Sequence, residues 1–306
     1  MVTLRRLTAA LVLLAAVLIL AAGCTQQKAV DLQRIEGQAR GGDQAAIGEL
    51  VGLLAAEHEA LRDRAYAILI DIGTPVVPAL LQQLGGAGTV QREYIAAALG
   101  NTKAKEAVVP LSEMLGRSGE RRRYVAAWAL GEIGDLGALP ALTAALGDDD
   151  PEVRKSAVRA LILLGRPAVR ALLDTLQSAG PVGEKSAILA LGDIADERAL
   201  PALLQRTEGE ARAEVFLALG KLKDPRAEQA LIKGLSDSSW QVRMNAAMAL
   251  GPVGSEACVP ALTLAIEDEV LVVREWAARS LEMVTGQRTT FRNEQGEQVA
   301  PYNVYH

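Results

Sequence analysis

Aromatic side chains are scarce in this sequence: three Trp, five Tyr and two Phe make up 3% of 306 residues. Sandwich and barrel cores lean on aromatic and β-branched residues. With half the chain apolar and that half mostly Ala, Leu, Val and Ile, the expectation moves to closely packed helices. Histidine is scarcer still. His58 and His306 have no cysteine or carboxylate cluster at ligand spacing, so no metal ligands are expected. Two cysteines, Cys24 and Cys258, cannot build a disulfide framework. Positive charge is also short, with 32 Lys and Arg against 37 Asp and Glu and a formal net charge of −5. A chain without a basic excess has little to neutralise a phosphate backbone, and nucleic acid is not an expected partner.

Chemistry-bearing patterns are missing as well. The stretch Gly85-Gly86-Ala87-Gly88 follows a helical segment and is not succeeded by Lys-Ser/Thr, so it reads as a turn rather than a phosphate cradle. The acidic run Asp148-Asp149-Asp150 precedes a helix start and suits capping better than calcium binding. Cys258 occupies a slot that other segments fill with Ala or Val, which marks it as a small buried hydrophobe rather than a reactive thiol. With no nucleophile–base pair to be found, no catalytic residue and no cofactor are expected.

The N-terminus is a targeting segment. Arg5 and Arg6 precede an apolar run from Leu7 to Ala22, and Gly23-Cys24 follow. That order of charge, short apolar stretch and small residues is the pattern of secretion, and the run is shorter than the roughly 20 residues a spanning helix needs. Leu20-Ala21-Ala22-Gly23-Cys24 resembles the bacterial lipoprotein signal. The resemblance implies removal of residues 1–23, lipidation of Cys24, a tether over 24–28 and a membrane-anchored, exported body. Thr25 in place of Asp then implies sorting to the outer membrane, facing the periplasm. Loss of Arg5 and Arg6 leaves the mature chain more acidic by two charges.

What is abundant is repetition. Arg62, Arg92, Arg123, Arg154, Arg212, Arg243 and Arg274 recur at intervals near 31 residues, with Glu184 in the one vacant slot. Small or branched residues follow at offsets of three and six, and offset seven is Leu throughout, from Leu69 to Leu281. These offsets share one face of a helix. Gly100, Gly131, Gly192, Gly220 and Gly251 come next and are expected to end or loosen that helix. About 18 residues after each Arg lies a Leu pair at i, i+4, such as Leu142/Leu146, with Pro78, Pro110, Pro140, Pro201 or Pro260 in the first turn. Each unit is therefore helix, turn, helix, and neither helix buries its stripe alone. Stacked units make an all-α solenoid over residues 29–285: seven pairs between about 59 and 267, a helix near 270–284, and one or two atypical helices within 29–57.

Gly131-Glu132-Ile133-Gly134-Asp135, Ala138-Leu139-Pro140-Ala141-Leu142 and Asp148-Asp149-Asp150-Pro151-Glu152-Val153-Arg154 resemble HEAT repeats, of the short kind first named from phycobilisome lyase subunits. The resemblance implies a ladder between repeats made by the turn Asp and following Arg, as in Asp148/Arg154, Asp237/Arg243 and Asp268/Arg274. Gly86, Arg117 and Arg206 hold the acidic slot elsewhere, and Glu184 with Thr207 breaks the pattern, so an irregular curvature is expected around 180–210. The resemblance also implies a concave binding surface lined by the second helices. Charges there are mixed, among them Arg170, Asp174, Glu228 and Lys233, which favours a protein or peptide partner over a polyanion.

On the first helices, positions one and five residues past each ladder Arg are expected to point outward. Most carry charge, but Tyr124/Trp128 and Met244/Met248 do not, which makes them the candidate partner-binding residues. The segment 286–306 leaves the repeat pattern and reads as a loose tail, with a cap on the last repeat as the alternative. The expectation for the whole is a lipid-anchored, non-catalytic adaptor of the cell envelope. A tetrapyrrole (bilin) lyase or isomerase is the alternative that the phycobilisome resemblance implies.

Overall fold

A computed structural model describes residues 31–119 and 121–301. The targeting segment and the proposed lipidation site Cys24 lie outside the described residues.

Asp31 accepts a hydrogen bond from the Arg34 backbone N–H and caps α1 (Leu32–Arg40); Asp43 does the same for α2 (Gln44–Leu53) through Ala45 and Ala46. Of the one or two atypical helices expected within 29–57, two are present. Ion pairs from Arg40 to Asp71 and from Arg64 to Glu36 tie α1 to the first regular unit. Seven helix pairs follow: α3 (Glu59–Ile72) with α4 (Val77–Leu84), α5 (Thr89–Asn101) with α6 (Val108–Gly116), α7 (Tyr124–Ile133) with α8 (Leu139–Ala144), and α9 (Pro151–Leu164) with α10 (Val169–Ser178). Then come α11 (Pro181–Ile194) with α12 (Leu200–Leu204), α13 (Arg212–Leu222) with α14 (Glu228–Gly234), α15 (Trp240–Val253) with α16 (Val259–Ala265), and finally α17 (Leu271–Thr285). A short 3-10 turn leads into each second helix, in several cases capped by an acid such as Asp135, Asp196 or Asp224. The apolar stripes meet in one continuous core running from Ile35 to Leu281.

The repeated glycines do not end their helices. Gly131 lies inside α7, and a Cβ built on it would sit 2.8 Å from the Cα of Ala160 in α9. Gly100 stands in the same relation to Ala129, Gly192 to Ala218 and Gly220 to Ala249. At these four junctions consecutive ladder helices approach to near backbone contact, which a glycine facing an alanine permits. Helices packed this tightly make the inner row of a curved stack, and the second helices with their bulkier Leu pairs make the outer row. The concave surface therefore belongs to the ladder helices, and the expectation that second helices line it is corrected.

The ladder itself is present, and its rungs reach forward. Arg123 donates to both carboxylate oxygens of Asp148 at 2.5 and 2.9 Å, Arg212 to Asp237 at 3.0 and 3.2 Å, and Arg243 to Asp268 at 2.7 and 3.0 Å. Each Asp also accepts a backbone N–H of its own turn, from Asp150, Ser239 or Val270. Arg154, Arg243 and Arg274 turn a second nitrogen onto the carbonyls five and six residues behind. Arg62 does likewise toward Ala56 and Glu57, and Arg92 toward Ala87.

Two departures stand in the middle. Residues 178–180 after Arg154 hold no acid, and Ile162 replaces the glycine that would let α11 approach α9. One rung further the polarity reverses. Glu184 occupies the ladder slot and Arg206 the turn slot, and Arg206 Nε donates to Glu184 Oε1 at 3.0 Å.

The stretch after α17 is not loose as far as Pro301. Phe291–Arg292 (β1) pairs antiparallel with Gln298–Val299 (β2), and Phe291 is 7% exposed against α17. Arg274 donates Nε to the Arg292 carbonyl at 2.8 Å, so a backbone oxygen ends the ladder where the array has no further Asp. Residues 302–306 lie outside the described residues.

Candidate binding groove

A marked concavity lies on the inner row. It spans four consecutive ladder helices, α3, α5, α7 and α9, with a volume of about 700 Å³. Its position follows from the repeat. Residues one, two and five past the ladder Arg of α5, α7 and α9 face the hollow, and three of these nine are aromatic: Tyr94, Tyr124 and Trp128, joined by Tyr66 of α3 at offset four.

Aromatic packing orders the floor. The Tyr66 and Tyr94 rings meet edge to face at 5.6 Å, and the Arg62 guanidinium lies 5.9 Å from the centre of the Tyr94 ring. Tyr94 donates its hydroxyl to Asp63 at 2.6 Å, and Tyr124 donates to Glu93 Oε1 at 3.1 Å. Asn101 Nδ2 donates to the Tyr66 hydroxyl at 2.8 Å. The bond to the Asp63 carboxylate, with burial second, pushes the Tyr94 phenol up, and burial does the same for Tyr66. Both phenols stay protonated at physiological pH. Trp128 packs over Gly100, where a Cβ would stand 3.0 Å from the indole Cζ3. Glu93 is held between the Tyr124 hydroxyl and Arg122.

Of the expected partner-binding residues, Tyr124 and Trp128 come together in this groove. They are half-buried rather than pointing clear of the core, and both pack against it. Met244 and Met248 are also half-buried on the inner row, but on α15, and they do not line the groove. Sequence reasoning missed Tyr66 and Tyr94 because they sit at offsets four and two, outside the two positions scanned. The available signal was clustering: four of ten aromatic residues fall within three successive ladder helices.

Cys258 is fully buried, its Sγ donating to the Ser255 carbonyl at 3.0 Å, and burial, with Glu228 nearby, pushes its thiol up. It is expected to resist alkylation by iodoacetamide at pH 8 in the folded chain and to react on unfolding, which mass spectrometry would read. Among the described residues, no three His, Cys, Asp or Glu side chains are grouped as a metal site requires. No single described helix is long and apolar enough to cross a membrane.

Helix pairs stacked in one file, a shared core and an inner row of near-touching helices define an α-solenoid. The chain belongs to the HEAT-repeat family: the HEAT repeats pattern matches residues 77–162, 139–215 and 204–282. No curated protein matches the sequence. Among solved structures, Kap95p in complex with RanGDP is similar at 14% identity and a TM-score of 0.57, over 78% of this chain and 40% of that one. The CpcE–CpcF phycocyanin lyase complex from Nostoc sp. PCC7120 is similar at 24% identity and a TM-score of 0.37, covering 67% of this chain and 86% of that one. Human deoxyhypusine hydroxylase is similar at 24% identity and a TM-score of 0.35, with 80% and 97% covered. The likeness to Kap95p is one of fold alone.

Proposed function

We propose that the chain is a lipid-anchored, non-catalytic scaffold of the bacterial cell envelope that holds a protein partner in the concave groove over α3, α5, α7 and α9. The groove carries the reading. It gathers four large aromatic side chains in a protein that has ten, on the inner row of a family that generally mediates protein–protein interaction. Half-buried Tyr and Trp are the residue types that dominate binding energy at interfaces, and the mixed charge of the lining suits a polypeptide. Export and anchoring rest on the first 24 residues, where Arg5, Arg6, the apolar run and Cys24 follow the lipoprotein pattern.

Crosslinking in intact membranes tests the reading. Trp128→Ala is expected to cut capture of the partner at least tenfold, about 1.4 kcal/mol or more, in a variant that far-UV circular dichroism shows to be folded, with a lowered urea midpoint from the packing it loses. Capture that persists in Trp128→Ala would remove the groove from the account. Separately, labelled palmitate is expected to enter the wild-type chain and not Cys24→Ser.

A further inference from the structure

One end of the groove differs from the rest. Beyond Trp128, α9 presents Lys155 and Arg159, one turn apart on the face toward the hollow, both exposed. Other cations of the lining are engaged: Arg62 donates to the Ala56 and Glu57 carbonyls and Arg122 pairs with Glu93. Lys155 and Arg159 have no hydrogen bond or ion pair among the described residues. The acids that remain, Glu59 and Glu152, sit in the first turns of their helices, along one edge.

We infer that the groove takes an acidic polypeptide segment, an apolar side chain seated on Trp128 and Tyr124 with neighbouring carboxylates against Lys155 and Arg159. The inference deepens the scaffold reading and depends on it. Charge complementarity selects this occupant. Glu152 lies one turn before Lys155, yet neither cation is bonded to a carboxylate among the described residues. The lining holds four cations (Arg62, Arg122, Lys155, Arg159) against three acids (Glu59, Glu93, Glu152), a local excess of positive charge in a chain with a net charge of −5. Their spacing of four residues places them along the helix axis about 6 Å apart, which suits two carboxylates of an extended segment two residues apart. A basic segment would meet two like charges there and is disfavoured by the same argument.

Two fluorescein-labelled decapeptide pools separate the outcomes, each with Phe or Leu at the centre. The flanks are drawn from Asp, Glu, Gly and Ser in one pool and from Lys, Arg, Gly and Ser in the other. Fluorescence anisotropy with the full mature chain is expected to show saturable binding of the acidic pool, at least tenfold tighter than the basic one and weakened by salt. Lys155→Glu/Arg159→Glu, at exposed positions that leave folding intact, is expected to reverse that preference. Equal binding of both pools, preference for the basic pool, binding of neither, or a double variant that behaves like wild type would each overturn the inference. The scaffold reading survives all four if Trp128→Ala still abolishes membrane crosslinking, and falls separately if that crosslinking persists.

Discussion

Replacing Arg243 by Ala is expected to destabilise the C-terminal half of the array by about 3–5 kcal/mol, the cost of removing one partner from a buried charged pair. Arg243 is 8% exposed and serves three groups: the Asp268 carboxylate, the Asp237 and Ser238 carbonyls, and Glu269. Removing it leaves the Asp268 carboxylate without its counter-charge, held only by the Val270 N–H, and takes the side-chain donor from two carbonyls, between α15 and α17. Replacing the acid as well, in Arg243→Ala/Asp268→Ala, is expected to recover part of the loss, because no uncompensated charge then remains. A solenoid of this length does not have to unfold in one step. Amide exchange in α15–α17 is therefore the sharper measurement, with protection lost there and kept in α3–α7.

Acid should act on the same rungs. Burial alone would raise the carboxyl pKa values of Asp148, Asp237 and Asp268. Ladder guanidiniums and turn N–H groups outweigh it and hold all three below the usual carboxylate range. A pKa lower in the folded chain than in the unfolded one adds stability that is fully present above about pH 4 and fades as pH falls through the folded value. The urea midpoint should therefore not respond to these three acids between pH 5 and 8 and should fall below pH 4.

Glycine should respond to substitution with opposite signs at two helical sites. Gly52 in α2 has nothing within 4 Å of an added Cβ, and Gly52→Ala is expected to stabilise by about 0.5–1 kcal/mol through helix propensity. Gly131 has the Ala160 backbone at 2.8 Å, so Gly131→Ala must push α7 from α9, at about 1–3 kcal/mol, and Gly131→Leu at the top of that range or beyond. The change spreads into the binding groove, since α7 and α9 carry Trp128 and Lys155. Thermal unfolding of the three variants checks the signs, and equal responses at residues 52 and 131 would contradict the backbone contact.

How much of this was legible beforehand follows from what repeats and what does not. The helix pairs, the ladder and the Leu stripes recur, so a local pattern seen several times fixed the architecture. Gly131 and its counterparts were visible too, but their role depends on the neighbouring helix, and a single-helix reading takes them for terminators. The same limit misplaced the concave face: which row is inner is decided by spacing between helices, not by either stripe. Tyr66 and Tyr94 escaped because a two-position scan assumes one outward line, whereas the hollow is wide enough for three. In the sequence Glu184 stands with Thr207 as a break in the pattern, and Arg206 stands apart from it as one of three non-acidic residues in the turn slot. Only the fold, by setting them side by side, shows them as one exchange of partners.

That exchange bears on how such a chain finds its order. Near-identical units invite errors in which a segment docks on a stranger one place along, since most interfaces look alike. A single inverted couple works as an address. Displaced by one unit, Arg206 would confront another arginine and Glu184 another carboxylate, and the wrong assembly would be penalised where the right one is not.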